Sequence, residues 1–266
     1  METEISMPFM SGVRAGGARR HTLLLLPAVF AAGILLVACT VQKLDERAIA
    51  PELALETAHI TEGISRWRLT VRKDTAAREL GVMTSTTHYA EYMTRPAILF
   101  VRTVPTPQGD IVDSVLILRR TLAPVWEHSH QPSKSMLLTF SDSAVSGEWA
   151  PADSVMRSVH HPIPRPVFNA TAQELLVESL PLADGYRTLV PIYSFELGGM
   201  ELDTLSVVGT GRVKLRDAGE RDAWKIAFAD PFITATIWVD RETRRVLLQE
   251  VVARKTGLIF RQERVL

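Results

Sequence analysis

The sequence predicts a mainly β protein: an antiparallel, curved sheet or incomplete β-barrel with one or two short helices. From residue 63 onward, runs rich in β-branched and aromatic residues are separated by turn residues about every 8–14 positions, which is typical of all-β domains. Several runs alternate apolar with polar residues, so that one face of each strand meets a core and the other meets solvent. Because no long helical segments intervene, the pattern favours antiparallel strands over alternating β and α units.

Composition narrows the class of protein further. The chain has 266 residues, of which 46% are hydrophobic, and its 30 Lys and Arg balance 30 Asp and Glu. The neutral balance excludes a global electrostatic attraction to nucleic acid or to anionic membranes. The single cysteine excludes an intrachain disulfide framework and any multi-cysteine metal site. Nothing in the composition marks an internal boundary, so we predict one β domain over residues 60–266.

The N-terminal segment has the features of a secretory signal. Residues 1–22 carry three arginines shortly before the apolar run 23–38. That run is shorter than the roughly 20 residues that a membrane-spanning helix needs. A basic region, an apolar region and an exit of small residues together define a secretory signal. We therefore predict a signal peptide over residues 1–38, which functions equally well from Met1, Met7 or Met10.

The end of this segment, Leu36-Val37-Ala38-Cys39, resembles the lipobox of bacterial lipoproteins. The resemblance implies cleavage before Cys39, a diacylglycerol on its thiol, and acylation (typically with palmitate) of the new N-terminus. Residues 39–59 then form a lipidated tether to the membrane. The second mature position is Thr40 and not the Asp that resembles an inner-membrane retention signal, which implies the outer membrane, facing the periplasm, in a Gram-negative source. The alternative is an uncleaved anchor with an inert Cys39.

Strand patterns dominate the first half of the predicted domain. Residues 64–73 alternate, with Trp67, Leu69 and Val71 on one face and basic or hydroxyl side chains on the other. Further strands are predicted over residues 97–104, 112–122, 124–130 and 135–140. Residues 158–166 contain three prolines and are predicted to form an extended connection.

The second half begins with a predicted helix over residues 171–180. Thr171 and Glu174 have the spacing of a capping box, and Leu175, Leu176 and Leu180 form one apolar face. Further strands are predicted over residues 189–197, 200–215, 223–229, 233–239, 245–253 and 258–264. Turn signals separate them, namely Gly198-Gly199 and Asp230-Pro231. Gly209-Thr210-Gly211 lacks the third glycine of a dinucleotide-binding loop and instead predicts a bulge or bend within a strand.

The closing hairpins resemble those of the lipoprotein-carrier superfamily of the Lol type and of related uncharacterised bacterial periplasmic domains. The motifs that carry this resemblance are Ala223-Trp224-Lys225, the Trp238-Val239-Asp240 hairpin followed by Thr243, and Leu180-Pro181-Leu182 before Gly185-Tyr186. The resemblance implies an incomplete antiparallel barrel whose concave side packs against helices or takes an acyl chain. It transfers no functional residue to this chain.

The concave side is therefore the candidate ligand site. Trp224, Ile226 and Phe228 alternate along one strand and are predicted to face the buried side together, where they would bind an apolar ligand. The five tryptophans of the chain suit either a sheet core or an aromatic-lined cavity. On the next strand the apolar alternation leaves Trp238 pointing outward. Either a bulge redirects this side chain, or it lies under a loop or at a partner surface.

Catalytic and metal motifs are weak in this sequence. It contains no G-x-S-x-G nucleophile elbow. His128 and His130 point the same way on a strand, but without further ligands they indicate a solvated face, and the adjacent His160 and His161 point in opposite directions. The acidic residues Asp110, Asp113 and Glu127 are interpreted as surface charges. We therefore predict no metal, no cofactor and no enzyme activity.

Two functions remain open at this point. The first is a membrane-anchored envelope lipoprotein that binds an acyl chain or another lipoprotein's anchor on its concave face. The second is a structural or protein-interaction lipoprotein with a filled core. A large apolar void inside the sheet favours the first function and a packed interior favours the second. An envelope hydrolase has no motif in its favour, no nucleic-acid partner is expected, and the sequence leaves the oligomeric state open.

Overall fold

The computed structural model describes residues 53–152, 154–229 and 233–266. Within these ranges fifteen strands form a single sheet with one α-helix, α1 (Gln173–Glu178). The predicted signal peptide, Cys39 and the predicted turn at Asp230-Pro231 lie outside the described residues. The strands are β1 (Gly63–Lys73), β2 (Ala76–Tyr92), β3 (Arg95–Val104), β4 (Ile111–Leu118), β5 (Pro124–Gln131), β6 (Lys134–Phe140), β7 (Ala144–Pro151), β8 (Arg157–Pro162), β9 (Phe168–Asn169), β10 (Arg187–Ser194), β11 (Gly199–Leu215), β12 (Gly219–Ala229), β13 (Ile233–Asp240), β14 (Val246–Ala253) and β15 (Ile259–Val265).

The sheet has the order β8-β7-β6-β5-β4-β3-β2-β1-β15-β14-β13-β12-β11-β10-β9. Neighbouring strands are antiparallel, except for the short parallel pair β9–β10. The first and last strands of the domain pair in the middle of the sheet, and the middle of the chain forms its two edges. The sheet is curved and not closed, which confirms the predicted mainly β, incomplete-barrel class.

The alternation predicted for β1 is present, but the sequence patterns missed its neighbour. Trp67 and Leu69 are buried on the concave side. β2 has 17 residues and pairs with both β1 and β3. Its buried positions include Ser85 and Thr87 beside Met83. Because hydroxyl side chains stand where a strand pattern requires apolar ones, β2 carries no clear period-2 signal.

Two further strands, β7 and β8, were also missed. The predicted extended connection over residues 158–166 is mostly β8, which pairs with β7. β8 lies at an edge of the sheet and ends at Pro162. A proline is tolerated there because an edge strand has a neighbour on one side only.

The predicted helix is present near its expected position, but its cap differs. A 3₁₀ turn at Ala170–Ala172 leads directly into α1. The Asn169 side-chain oxygen accepts a hydrogen bond from the Thr171 N–H at 2.8 Å. The Thr171 hydroxyl instead donates to a carboxylate of Glu127, and Glu174 contacts Arg264. Both members of the predicted capping box are thus engaged elsewhere, so that prediction is wrong.

Helix α1 packs inside the curve of the sheet. Leu175 and Leu176 of α1, and Leu180 just after its end, are at most 1% exposed and belong to one apolar cluster with residues from both halves of the sheet. Ile226 and Phe228 on β12 are buried in the same cluster. The helix side chains thus fill part of the space that the concave face would otherwise offer to a ligand.

Aromatic contacts join the two edges of the open sheet, one formed by β7 and β8 and the other by β9 and β10. His161 Nδ1 on β8 lies 2.9 Å from the hydroxyl of Tyr193 on β10. Phe140 meets the Tyr193 ring edge-on at 5.4 Å, and Trp149 packs against Phe195 at 5.7 Å between centroids. Burial raises the pKa of the Tyr193 hydroxyl. Side-chain packing therefore holds together the two edges of the sheet, which are not paired with each other by backbone hydrogen bonds.

Trp238 points outward, as the alternation of β13 requires. It packs in a small cluster on the outer face with Leu215, Leu247 and Leu248. The ammonium group of Lys225 lies 5.3 Å from the Trp238 ring centroid. β14 has a bulge at Leu247. Trp238 pairs with Leu248 and Val239 pairs with Val246, so Leu247 has no opposite residue on β13. The bulge does not turn Trp238 inward, and the β11–β12 hairpin covers its ring.

The predicted irregularity at Gly209 is confirmed. The register of β11 against β12 shifts between Val207 and Gly209, which leaves Val208 without an opposite residue. Gly209 has φ of 147°, in a region that L side chains rarely adopt. The glycines here thus shape a long bent strand and not a nucleotide-binding loop.

Gly147 on β7 lies so close to the backbone of β6 that the position has no room for a side chain. A Cβ at this position would overlap the carbonyl oxygen of Leu137 and lie 2.9 Å from the Cα of Leu138. We expect Gly147→Ala to lower the free energy of unfolding by about 2 kcal/mol, because overpacking forces the strands apart. Urea denaturation measures this loss. Gly211→Ala is the matched control, since its Cβ would meet only Trp238, at 3.8 Å. An unchanged free energy of unfolding for Gly147→Ala would contradict the expectation.

Candidate functional site

The three predicted ligand residues lie on the concave side of β12. Ile226 and Phe228 are buried in the main core, and Trp224 is half-buried beside it with the Arg241 guanidinium 4.8 Å from its ring centroid. Their neighbours in the core include side chains of α1. Their role in ligand binding stays a prediction.

A buried arginine contacts the face of α1 that lies away from its leucines. Arg264 on β15 is 7% exposed, and its Nε donates to the carbonyl oxygen of Val246 at 2.6 Å. One terminal nitrogen donates to the Ser65 hydroxyl at 2.7 Å. The guanidinium carbon lies 4.6 Å from the ring centroid of Trp67. A single side chain thus joins β15 to β1 and β14.

The remaining nitrogen of Arg264 binds both carboxylates of α1. Nη2 donates to Glu174 Oε1 at 2.7 Å and to Glu178 Oε1 at 2.9 Å. Glu178 also accepts hydrogen bonds from the Val246 N–H and from Arg245 Nη1, each at 2.9 Å. Glu174 and Glu178 stand four residues apart, so they share one face of the helix. This face is polar, while the leucines of α1 form the apolar one.

The environment of Glu178 raises its pKa. Burial and the nearby carboxylate of Glu174 raise the pKa of Glu178 to about 7, against the opposing attraction of Arg264 and Arg245. The side chain is 1% exposed, and both its oxygens are occupied by N–H donors. A group so enclosed has no access to a substrate, so the arrangement suits anchoring of the helix.

A cavity of about 180 Å³ adjoins this network at the start of α1. Its walls come from the helix and from strands β1, β3, β14 and β15. The polar side chains outnumber the apolar ones, and the lining residues are Trp67, Arg102, Gln173, Glu174, Val246, Gln249 and Gln262. A second cavity of about 180 Å³ lies among the hairpins that follow β2, β4 and β6.

Glu127 is buried and Asp113 is half-buried beside it, which corrects the interpretation of these two carboxylates as surface charges. Glu127 is 6% exposed and accepts hydrogen bonds from Asn169 Nδ2 at 2.9 Å and from the Thr171 hydroxyl at 2.8 Å. Asp113 accepts one from the Ser129 hydroxyl at 2.6 Å. Burial raises the pKa of both carboxyl groups, and these hydrogen bonds oppose the shift. Glu127 thereby fixes the 3₁₀ turn that leads into α1.

The histidines of β5 are exposed on the outer face, where His128 and His130 alternate with the buried Glu127 and Ser129. On β8, His160 is exposed and lies 2.9 Å from the Ser146 hydroxyl, while His161 faces Tyr193. In the described part of the chain, no group of three His, Cys, Asp or Glu residues is arranged to hold a metal ion.

The sequence contains only the helical part of the network around Arg264. Glu174 and Glu178 flank the leucines of α1 at a spacing that places both carboxylates on one helix face. The polar face of an amphipathic helix ordinarily meets solvent, so this spacing does not show that the two carboxylates are buried. Nothing in the sequence identified their partner, Arg264, which lies in the last strand.

Removal of the Arg264 guanidinium tests whether it anchors α1. We expect Arg264→Met to lower the free energy of unfolding by about 3–5 kcal/mol, because the variant leaves two buried carboxylates without their shared cation. Chemical denaturation measures the loss. Arg212→Met is the control, since the ion pairs of Arg212 with Glu220 and Asp222 are exposed and its removal changes stability little. Equal effects of the two variants would contradict an anchoring role.

Comparisons with solved structures give two similar folds at low similarity. A β-barrel-like protein of the DUF1849 family from Brucella abortus is 10% identical, with a TM-score of 0.38, over 76% of this chain and 94% of that chain. A putative exported protein with a YmcC-like fold from Bacteroides fragilis is 13% identical, with a TM-score of 0.29, over 77% of this chain and 94% of that chain. Neither similarity supports an inference about function.

No curated protein matches this chain. Among the described residues, no helix has the length and apolar character needed to cross a membrane. The model of one protein family matches residues 70–263, from β1 to β15. Because this match covers most of the chain, the protein belongs to the DUF3108 family, described as a protein of unknown function.

Proposed function

We propose that this protein is a non-enzymatic lipoprotein of the bacterial envelope, anchored through Cys39 and acting as a structural or protein-interaction module with a filled core. Anchoring rests on the lipobox-like exit Leu36-Val37-Ala38-Cys39. In a Gram-negative source the protein faces the periplasm from the outer membrane.

One observation carries the filled-core part of the proposal, namely the position of α1. Leu175 and Leu176 of α1, together with Leu180 just after its end, occupy the concave side with at most 1% exposure. Pockets for organic ligands usually measure roughly 300–1,000 Å³. The cavity beside α1 measures about 180 Å³ and is lined mostly by polar side chains, which suits an acyl chain poorly.

The competing function is the binding of an acyl chain or a lipoprotein anchor by Trp224, Ile226 and Phe228. It requires α1 to leave the concave face, since Ile226 and Phe228 share the core with the helix leucines. Departure of α1 would separate Glu174 and Glu178 from Arg264, whose contacts measure 2.7 and 2.9 Å. Breaking buried ion pairs is costly, which favours the filled core.

Lipidation is tested in cells that express the full-length chain. We expect labelled palmitate to be incorporated into the wild-type protein and to be lost in Cys39→Ala, because no other cysteine can carry the diacylglycerol. Globomycin is expected to cause the precursor to accumulate. Thr40→Ala serves as the matched control and keeps its label. Continued labelling of Cys39→Ala would refute the anchor.

Occupancy of the interior is tested with a fluorescent fatty acid added to a chain that begins at Thr40. We expect no saturable binding by the folded protein, because helix side chains already fill the concave face. Binding that palmitate displaces would support the competing carrier function instead. Phe228→Asp is unsuitable as a test variant, since Phe228 is 5% exposed and its replacement would disturb the core itself.

A further inference from the structure

We infer that one end of the sheet contacts the lipid bilayer, with Met93 as its apolar tip and Arg95, Arg119 and Arg120 as its contacts to lipid phosphates. The surface consists of residues 89–96 at the end of the β2–β3 hairpin and residues 118–124 at the end of the β4–β5 hairpin, together called the hairpin ends. It rests on the proposed anchoring through Cys39 and gives the anchored domain a defined orientation on the membrane.

The chain enters the domain beside the hairpin ends. The Tyr89 hydroxyl donates to the carbonyl oxygen of Ile60 at 2.8 Å, and the Tyr89 N–H donates to Glu62 Oε1 at 2.6 Å. The Arg119 N–H donates to the carbonyl oxygen of Pro96 at 3.0 Å, which joins the two hairpin ends to each other. The residues that lead into β1 therefore lie at the same end of the sheet as both hairpin ends.

This position decides which end an anchor brings to the membrane. Thirteen residues lie between Cys39 and Leu53, where the described chain begins, and they reach at most about 50 Å. The opposite end of the sheet also exposes an apolar side chain, Val155 in the β7–β8 connection, with 82% exposure. Strands of seven or eight residues, such as β6 and β7, separate the two ends by roughly 20–25 Å. Because the tether joins the domain at the hairpin ends, the bilayer meets that end first.

Met93 lies in an unfavourable backbone conformation at the tip of the β2–β3 hairpin. A two-residue turn joins Tyr92 to Arg95, with φ of 47° at Met93 and 65° at Thr94. Such turns favour Asn-Gly, because both residues need left-handed φ values that a methionine and a β-branched threonine adopt only at a cost. The Met93 side chain is 76% exposed. A strained turn that holds an apolar side chain in water gains from contact with an interface that buries this side chain.

Three arginines of the hairpin ends are available to bind phosphate. In the described part of the chain, Arg95, Arg119 and Arg120 form no ion pair, and their side chains donate no hydrogen bond. Arg119 stacks on the ring of Tyr89, with 4.0 Å from its guanidinium carbon to the ring centroid. The hairpin ends contain one acidic residue, Glu91. Guanidinium groups bind phosphate oxygens in bidentate geometry, so this end combines an apolar tip with unpaired cations, as an interfacial contact requires.

Fluorescence of the full-length lipidated protein in nanodiscs of phosphatidylethanolamine and phosphatidylglycerol tests this orientation. Met93→Cys carries an NBD label, which reacts there alone because the Cys39 thiol holds the diacylglycerol. We expect nitroxide groups on the lipid chains to quench the label at position 93 at least twofold. Val155→Cys, at the opposite end, is the matched control and stays unquenched. Equal quenching at both positions, or stronger quenching at position 155, would overturn the proposal.

The wild-type protein separates a failed anchor from a failed surface. Its single cysteine is Cys39, so labelling of the wild type would show an unmodified thiol and refute the anchor. Positions 93 and 155 are then compared in a Cys39→Ser chain on vesicles of the same lipids. Blue-shifted emission at position 93 alone supports the surface, and a shift at both positions or at neither overturns it.

A reporter outside the tip assigns the contact to Met93. Thr121→Cys labels the exposed end of the β4–β5 hairpin, and Met93→Asp is expected to lower quenching there at least twofold, because a carboxylate resists transfer out of water. Aspartate tolerates the left-handed φ of this turn, so the fold is retained. Met156→Asp, at the opposite end with 50% exposure, is the matched control and leaves the quenching unchanged. Unchanged quenching in Met93→Asp would overturn the role of Met93.

Discussion

The pairing of Arg264 with two carboxylates on a single helical turn is the interaction on which the interior of this protein depends. Without that guanidinium, Glu174 and Glu178 would be buried beside each other, and the desolvation of two like charges strongly opposes folding. With it, α1 is attached to β1, β14 and β15 at the centre of the sheet. The helix then presents its leucines to the apolar part of the concave face. Helix position, core packing and the adjoining cavity all follow from this one constraint.

The same constraint separates two kinds of interior surface. One side of α1 packs against apolar side chains such as Ile226 and Phe228, whereas the side near Arg102 borders polar groups and a cavity. An open barrel usually needs a lid or a ligand to cover its concave face, and here a six-residue helix covers it. The six-residue segment is too short to be stable alone in water, so its helical form depends on these tertiary contacts. A DUF3108 protein of this design is built around an internal plug and not around an open cup.

The sequence revealed most of the fold because surface-facing and core-facing residues alternate in strands such as β1 and β13. It missed β2 because Ser85 and Thr87 occupy interior positions, where Ser85 bridges Trp67 and Glu174. Glu127 was misjudged for a related reason: alternation places it opposite His128 but does not say which of two polar faces is buried. The three side chains that accept hydrogen bonds from Arg264, those of Ser65, Glu174 and Glu178, lie 86 to 199 positions away along the chain. Such distant pairings leave no local pattern, so the network could be recognised only in three dimensions.

Native-state hydrogen exchange on the full-length protein, read by mass spectrometry, tests the internal-plug account most directly. The decisive amides are those of residues 177–179 in the last turn of α1, compared with the amides of β1 and β15. If Arg264 anchors the helix, these amides exchange only through global unfolding, with the same free energy of opening as the central strands. Exchange of the helix amides at a free energy several kcal/mol below that of β1 and β15 would show that α1 leaves the concave face on its own, and would contradict the account.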